Sequence, residues 1–218
     1  MSEITLEHTL PRVFAGMEQD LPVSASEVWL RDVSFRRGLN YMVEAESGTG
    51  KSSLCSFIYG SRGDYSGRIL FDGTDVSSLS VARWCELRSR SLAYLPQEMQ
   101  LFGELTALEN IEIKNRLTAH KSTDWILSAL RRLEIEAKAD VPACRLSVGQ
   151  QQRVAIIRAL CQPFDFLLID EPVSHLDARN NGIVASLIAE EADAQGAAVI
   201  ATSVGNKILL PFTQTLKL

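Results

Sequence analysis

Residues 46–53, ESGTGKSS, limit what this chain can fold into more than any other stretch. They follow NYMVEA, which reads as a strand. They precede SLCSFIYG, where Leu54, Phe57 and Ile58 fall at i, i+3 and i+4 and mark one face of a helix. Between a strand and a helix, Gly48 and Gly50 let a tight loop turn its main-chain N–H groups inward without Cβ clashes. The helix start adds unpaired donors and a partial positive charge. Strand, glycine loop, Gly-Lys-Ser and helix, in that order, make the setting a phosphate loop requires. On this reading Ala45, Glu46, Ser47, Gly48, Thr49, Gly50, Lys51, Ser52 and Ser53 hold a triphosphate. Lys51 reaches its β- and γ-phosphates, and the Ser52 hydroxyl ligates Mg²⁺. The pattern expects glycine where Ala45 stands. Alanine is tolerated there at negative φ and costs roughly 1 kcal/mol or more at positive φ.

A second stretch supplies the carboxylates. FDFLLIDEP is a continuous apolar run, as expected of a strand buried on both faces, and it ends in Asp170-Glu171. A charge at the tip of such a strand is costly unless it is paired or solvated. In a phosphate-loop fold that tip faces the metal. Asp170 is therefore assigned to Mg²⁺, directly or through water, and Glu171 to polarising an attacking water as general base. The competing reading is a strand end that turns to solvent at Pro172; Lys51 upstream weighs against it.

The 218 residues are 46% hydrophobic, with a mean hydropathy near zero, which suits one compact domain with room for a subdomain. Net charge is -5 and basic pairs occur only at Arg36-Arg37 and Arg131-Arg132, so direct nucleic-acid binding is not expected. The four cysteines, Cys55, Cys85, Cys144 and Cys161, are too widely spaced for a zinc site or a disulfide framework and read as reduced thiols of a cytosolic protein. The three histidines, His8, His120 and His175, are too scattered for a metal site. No stretch approaches the roughly 18 apolar residues of a membrane span, and no signal-peptide order opens the chain. Work at a membrane therefore needs a partner.

The rest of the chain divides by pattern. ITLEHTL alternates like a half-buried strand, and GRILFDGTDV reads as a hairpin turning at Asp72-Gly73, so the first third is expected to be rich in antiparallel strand. From about 105 to 159 the pattern is helical. Thr106 and Glu109 have capping-box spacing. Ile126, Leu127, Leu130 and Leu133 form a stripe with Asp124 as its cap. Residues 1–104 and 160–218 are expected to form the core and β subdomain, and 105–159 a small helical subdomain. After FLLID, Ile183, Val184, Leu187 and Ile188 mark a helix closed by Gly196, and AAVIAT is the next strand. The predicted class is α/β, with a mixed or parallel core sheet of the phosphate-loop type.

LSVGQQQRVAIIRAL narrows the function. Ser147 and Gln150 have capping-box spacing, and Val154, Ile157 and Leu160 form a helix stripe, so Ser147 and Gly149 open a helix that makes a second anion site. One nucleotide does not need two such sites on one chain, whereas two chains arranged head to tail use both. Here the sequence resembles the ATP-binding subunits of ABC transporters over nearly its whole length. AESGTGKSS matches the Walker A loop, YLPQEMQLFGELTALENI the Q-loop region, LSVGQ the signature, LLIDEP Walker B and SHLD the D-loop. ELTALENI and the signature helix resemble the lipoprotein-releasing and macrolide-exporter branch.

The resemblance implies an ATPase that dimerises, with itself or a related subunit, around two ATP and Mg²⁺. Each ATP then lies between Walker A of one subunit and Ser147, Val148, Gly149 and Gln150 of the other. It implies that Gln97 couples the lobes and contacts the metal, that Asp177 ends the D-loop, and that a groove beside the Q-loop receives the coupling helix of an integral membrane permease. That places the chain on the cytoplasmic face of the cell membrane. Three positions depart from the family: Ala45, Val148 in place of the signature's first glycine, and Ser203 where a switch histidine is expected. Serine is shorter than imidazole and carries no charge near neutral pH, so slow hydrolysis with ATP binding preserved is expected. Phe14 is either the aromatic that stacks on adenine or a core residue. Cys55 is expected to be packing, with thiol reactivity as the alternative, and His175 to be structural or interfacial. Gln151-Gln152 are expected on a polar helix face. The alternatives to a transport motor are a soluble ABC ATPase of the cofactor-assembly type and a weakly hydrolysing regulatory subunit.

Overall fold

The computed structural model describes residues 1–20, 23–46, 48–173 and 176–218. In chain order, β1 (Glu3–Pro11), β2 (Asp32–Arg36) and β3 (Tyr41–Glu44) precede helix α1 (Lys51–Ile58). The hairpin β4 (Tyr65–Phe71) and β5 (Thr74–Asp75), helix α2 (Val81–Arg90) and β6 (Leu92–Leu95) follow. Three helices come next: α3 (Ala107–Asn115), α4 (Thr123–Arg132) and α5 (Val148–Leu160). The chain closes with β7 (Phe166–Asp170), α6 (Ala178–Gln195), β8 (Ala198–Ser203) and β9 (Gln214–Lys217).

Two sheets result. An antiparallel sheet runs β2-β1-β4-β5, and a parallel sheet runs β6-β7-β8-β3-β9. The parallel strands are apolar on both faces because both faces are covered. Leu167 and Ile169 of β7, with Val199 and Ala201 of β8, pack into a core shared with α3 to α6. Phe166 and Leu168, with Ala198 and Ile200, point the other way. They meet Leu54, Phe57 and Ile58 of α1 and Ile4 and Leu6 of β1.

The helical part is an insertion closed at a neck. Ala107 N donates to Val141 O at 3.0 Å and Ala143 N to Leu105 O at 2.9 Å, so the chain leaves and re-enters at adjacent points. Capping boxes start α3 at Thr106–Glu109 and α5 at Ser147–Gln150. Gly196 ends α6 at φ 57. Helix α4 starts differently from expectation. Its cap is Ser122, whose Oγ accepts from Trp125 N at 3.2 Å, and Asp124 instead lies in the first turn, where a negative charge suits the helix dipole.

The hairpin turns at Asp72-Gly73 with both residues at positive φ, 47° and 80°, as a tight antiparallel turn requires. Strand β1 departs from simple alternation. Its register slips between Glu7 and Leu10, and His8 takes φ 48. This bulge presses the main chain against Gly67, where a Cβ would lie 2.4 Å from His8 O at φ +80. Only glycine fits. Gly67→Ala is expected to lower stability by roughly 2–4 kcal/mol through strain and overpacking, read as a lower midpoint in urea unfolding at unchanged m-value.

Candidate functional site

The carboxyl ends of β3, β8 and β7 lie side by side, and the groups named in the sequence gather there. Register places Glu44 beside Ser203 and Asp170 beside Thr202. From β3 the chain enters the glycine loop. Ala45 N donates to Ser203 O at 3.2 Å, and Ala45 is not among the positive-φ residues, so its methyl is accommodated without strain. Gly48 and Gly50 adopt φ 86 and 100. A Cβ on Gly50 would meet Trp29 Cζ2 at 3.0 Å and Phe14 Cε2 at 3.4 Å, because both rings support the loop from beneath. Trp29 also donates Nε1–H to Thr49 O at 2.9 Å.

Lys51 is buried at the first turn of α1. Its Nζ donates to Glu46 O at 2.9 Å and lies 3.8 Å from Glu171 Oε1. Both contacts are ones that phosphate oxygens can replace. Thr49 Oγ1 donates to the same Glu46 carbonyl at 2.9 Å. Ser52 is exposed beside Lys51, whereas the Ser53 hydroxyl accepts from Arg62 Nη1 at 2.9 Å, on the flank of the helix.

Asp170 is 1% exposed, and Thr202 Oγ1 donates to its Oδ1 at 2.6 Å. Glu171 sits at φ 52, a left-handed conformation rare for glutamate and typical of functional turns. Gln97 Nε2 donates to Glu171 Oε2 at 3.2 Å, joining the loop after β6 to the carboxylate. Gln152 Nε2 donates to Glu171 O at 3.4 Å. Gln152 is therefore buried, and Gln151 donates to Ala143 O and Leu146 O at 3.0 and 3.1 Å. The expected polar face at these two glutamines is corrected: both turn inward, because main-chain carbonyls at the base of α5 need donors.

The donor set fits Mg²⁺ carried with a triphosphate. No group of three acidic, histidine or cysteine side chains among the described residues makes a cage of its own. Instead Ser52 and Asp170 offer one oxygen each, and Gln97 keeps its amide oxygen because it donates to Glu171 through nitrogen. A small hard cation held by few protein oxygens and several phosphate oxygens suits that arrangement.

The remaining predicted residues lie around this centre. Phe14 is 9% exposed and belongs to the core cluster beneath the glycine loop. Ser203 is 2% exposed and donates its hydroxyl to Asn206 O at 2.6 Å, so its side chain is spent on its own turn. Ser147 Oγ accepts from Gln150 N at 3.3 Å, Val148 is 47% exposed, and Gly149 follows in the first turn of α5. Asp177 caps α6 by accepting from Asn180 N at 2.8 Å. Main-chain hydrogen bonding from Asn180 holds its carboxyl below the ordinary value. The readings on Ser47 and His175 lie outside the described residues. Sequence reasoning missed Thr202 and Trp29. Thr202 is detectable only as a hydroxyl at the end of a strand, and nothing local marks Trp29.

Lys207, Lys217 and Glu46 line a cleft of about 510 Å³ on the flank of the glycine loop, and Lys207 pairs with Glu44. The cysteines give a direct test of burial. The alternative of a reactive Cys55 is corrected: burial pushes its thiol well above the ordinary value, and the Asp170 charge pushes it further. Burial likewise pushes Cys161 to about 12. A thiol kept neutral in the fold stabilises it fully below the ordinary thiol pKa of 9.0, and that contribution is lost as pH rises from there toward about 12. Native protein at neutral pH is expected to release thiol colour rapidly from exposed Cys85 and Cys144 only, with Cys55 and Cys161 reacting after denaturation. The midpoint of thermal unfolding is expected to fall above pH 9, the ordinary thiol value, and less steeply in Cys161→Ala.

Comparisons with known proteins agree with this geometry. A family model described as ABC transporter matches residues 31–174. The ABC transporter ATP-binding protein YtrE of Bacillus subtilis (strain 168) is 33% identical over 188 residues, covering 84% of this chain and 79% of YtrE. The dimeric structure of MJ0796, a bacterial ABC transporter cassette, superposes with a TM-score of 0.75 at 23% identity over 92% of this chain and 87% of that one. A bacterial Atm1-family ABC exporter with ATP bound superposes at 0.73 and 22% identity, over 93% of this chain and 34% of that one. At such identities the two structures speak for the fold, and the family rests on the matched model and on YtrE. This chain belongs to the ABC transporter family, as one of its ATP-binding cassettes.

Proposed function

We propose that this cassette binds and hydrolyses ATP with Mg²⁺ as the motor of a transporter whose membrane-spanning part is a separate chain. One observation carries the reading: Lys51 in its glycine cradle, buried Asp170 and the backbone-constrained Glu171 converge at the carboxyl ends of the central strands. The amides of the loop and Lys51 are assigned to the β- and γ-phosphates. Mg²⁺, when bound, neutralises charge on those phosphates, held by Ser52, Asp170 and Gln97. Glu171 takes the proton of the attacking water, oriented by Gln97. Phe14 is assigned to packing under the loop in place of base stacking.

Ser147, Val148, Gly149 and Gln150 open α5 toward solvent, and Asp177 is exposed beside the start of α6. We assign the first four to the triphosphate held by a second cassette, and Asp177 to the same interface. The Ser147 hydroxyl accepts one bond as a cap and keeps its hydrogen to donate. The second cassette is another copy or a related subunit. No described helix is long and apolar enough to cross a membrane. A membrane-spanning permease is assigned as the docking partner. The groove between the loop after β6 and α3 is the assigned dock.

Lys51→Ala is expected to abolish nucleotide binding measured by calorimetry. Glu171→Gln is expected to keep binding and slow phosphate release by about 10²-fold or more, the usual worth of a general base. Retained affinity in Lys51→Ala overturns the reading.

The buried Ser203 and exposed Val148 favour a slow turnover, as in a regulatory subunit. An imidazole at 203 has to open the turn closed by Asn206, so Ser203→His is expected to cost stability while raising the hydrolytic rate. An unchanged rate in a folded Ser203→His protein refutes the assignment of slow turnover to that residue.

A further inference from the structure

The cleft of about 510 Å³ beside the glycine loop is lined by Ala45, Glu46 and Thr49 of the loop and by Ser203, Gly205 and Lys207 from the end of β8 and the turn after it. It opens where Lys51 is held. The Glu46 carbonyl accepts from Lys51 Nζ and from Thr49 Oγ1, both at 2.9 Å, so the segment that Lys51 grips is also a wall of the cleft. A phosphate oxygen that takes the place of that carbonyl on Lys51 lies at the edge of the cleft. Ser203 meets it there with no charge, and its hydroxyl is already bonded to Asn206 O.

The turn after β8 fixes the main chain of Lys207 and leaves its side chain free. Gly205 takes φ 84, and Asn206 N donates to Val204 O at 3.1 Å. Asn181 of α6 clamps the far end, donating from Nδ2 to Lys207 O at 2.9 Å and accepting from Leu209 N at 3.1 Å. The Lys207 side chain is 52% exposed and pairs with Glu44, which is 32% exposed and stands directly before the glycine loop. An ion pair exposed to this degree is weak. The charges that line the cleft balance, with Glu44 and Glu46 against Lys207 and Lys217. A polyphosphate laid along the loop upsets that balance, and its oxygens compete with Glu44 for the nearby ammonium.

We propose that Lys207 binds the terminal phosphate of the nucleotide: its ammonium leaves Glu44 and donates to that phosphate, so the chain tells a nucleoside triphosphate from a diphosphate. The proposal rests on the nucleotide site proposed above and adds to it a residue that reads the number of phosphates. A diphosphate is satisfied by the loop amides and Lys51 and ends short of the cleft, so Lys207 stays on Glu44. A third phosphate reaches the cleft and draws the ammonium over. Glu44, once released, remains solvated.

The test titrates the intact chain with ADP and with the β,γ-imido analogue of ATP, each with Mg²⁺, and reads the ratio of the two affinities by calorimetry. Lys207→Gln is expected to weaken the triphosphate by about tenfold, the usual worth of a hydrogen bond to a charged group, and to leave ADP within about twofold. Lys207→Arg is expected to keep the ratio. Glu44→Gln separates phosphate binding from a structural ion pair: it frees the ammonium and is expected to keep or raise triphosphate affinity. Lys217→Gln removes the other lysine of the cleft and is expected to leave the ratio in place. An equal loss for both nucleotides in Lys207→Gln overturns the proposal, as does an unchanged ratio. So does a Glu44→Gln or Lys217→Gln protein that reproduces the Lys207→Gln loss. A wild-type chain that binds neither nucleotide overturns the proposed function along with it, whereas one that binds both at a ratio indifferent to Lys207 overturns this inference alone.

Discussion

A carboxylate buried at the end of a strand is the constraint that the rest of this molecule answers. Asp170 is 1% exposed, and an unpaired charge in that setting costs several kcal/mol. The parallel sheet reduces the cost by register. β8 lies between β7 and β3, so Thr202 falls opposite Asp170 and donates to it, and Ser203 falls opposite Glu44 at the mouth of the glycine loop. A slip of one residue in the β7–β8 pairing turns Thr202 to the other face and leaves Asp170 without its donor. The site is therefore only as good as the strand pairing beneath it.

The antiparallel sheet and the segment between β1 and β2 carry the glycine loop. Trp29 binds the Thr49 carbonyl through its indole N–H and lies against Gly50, with Phe14 beside it. These rings hold the loop at the height where Lys51 reaches Glu171. On the other face, α5 links the opening of the signature helix to the same glutamate, because Gln152 reaches the Glu171 carbonyl from three residues beyond Gly149. The cradle, the carboxylates and the surface assigned to a second cassette thus share one rigid framework.

Much of this was legible in the residues, for definite reasons. The loop through Gly48 and Gly50 into α1 declares itself because a main chain at φ 86 and 100 tolerates few residues but glycine. The run FLLID declares a two-sided strand because both its faces must be dry. The capping boxes at Thr106 and Ser147 appear where spacing placed them, since a cap needs only its own turn. Where the reading failed, the deciding partner was distant in sequence. Gln151 and Gln152 look like a solvated face until the carbonyls of Ala143, Leu146 and Glu171 arrive to accept from them. Cys55, by contrast, is the packing residue expected of it, and the alternative of a thiol activated by the cationic loop is lost where α1 presses onto the sheet and seals it off.

By itself the sequence determined the order of the elements, the glycine loop between strand and helix, and the acidic pair at the strand tip. All three follow from local rules of backbone freedom, periodicity and charge at a strand tip. Tertiary structure alone decided that Trp29 and Thr202 serve the site, that Ser203 is spent on Asn206, and that Lys114 and Arg158 share a groove lined by no carboxylate among the described residues. Those outcomes depend on which strands lie adjacent and which faces are covered. That adjacency is set by long-range packing, which no single stretch of the chain encodes.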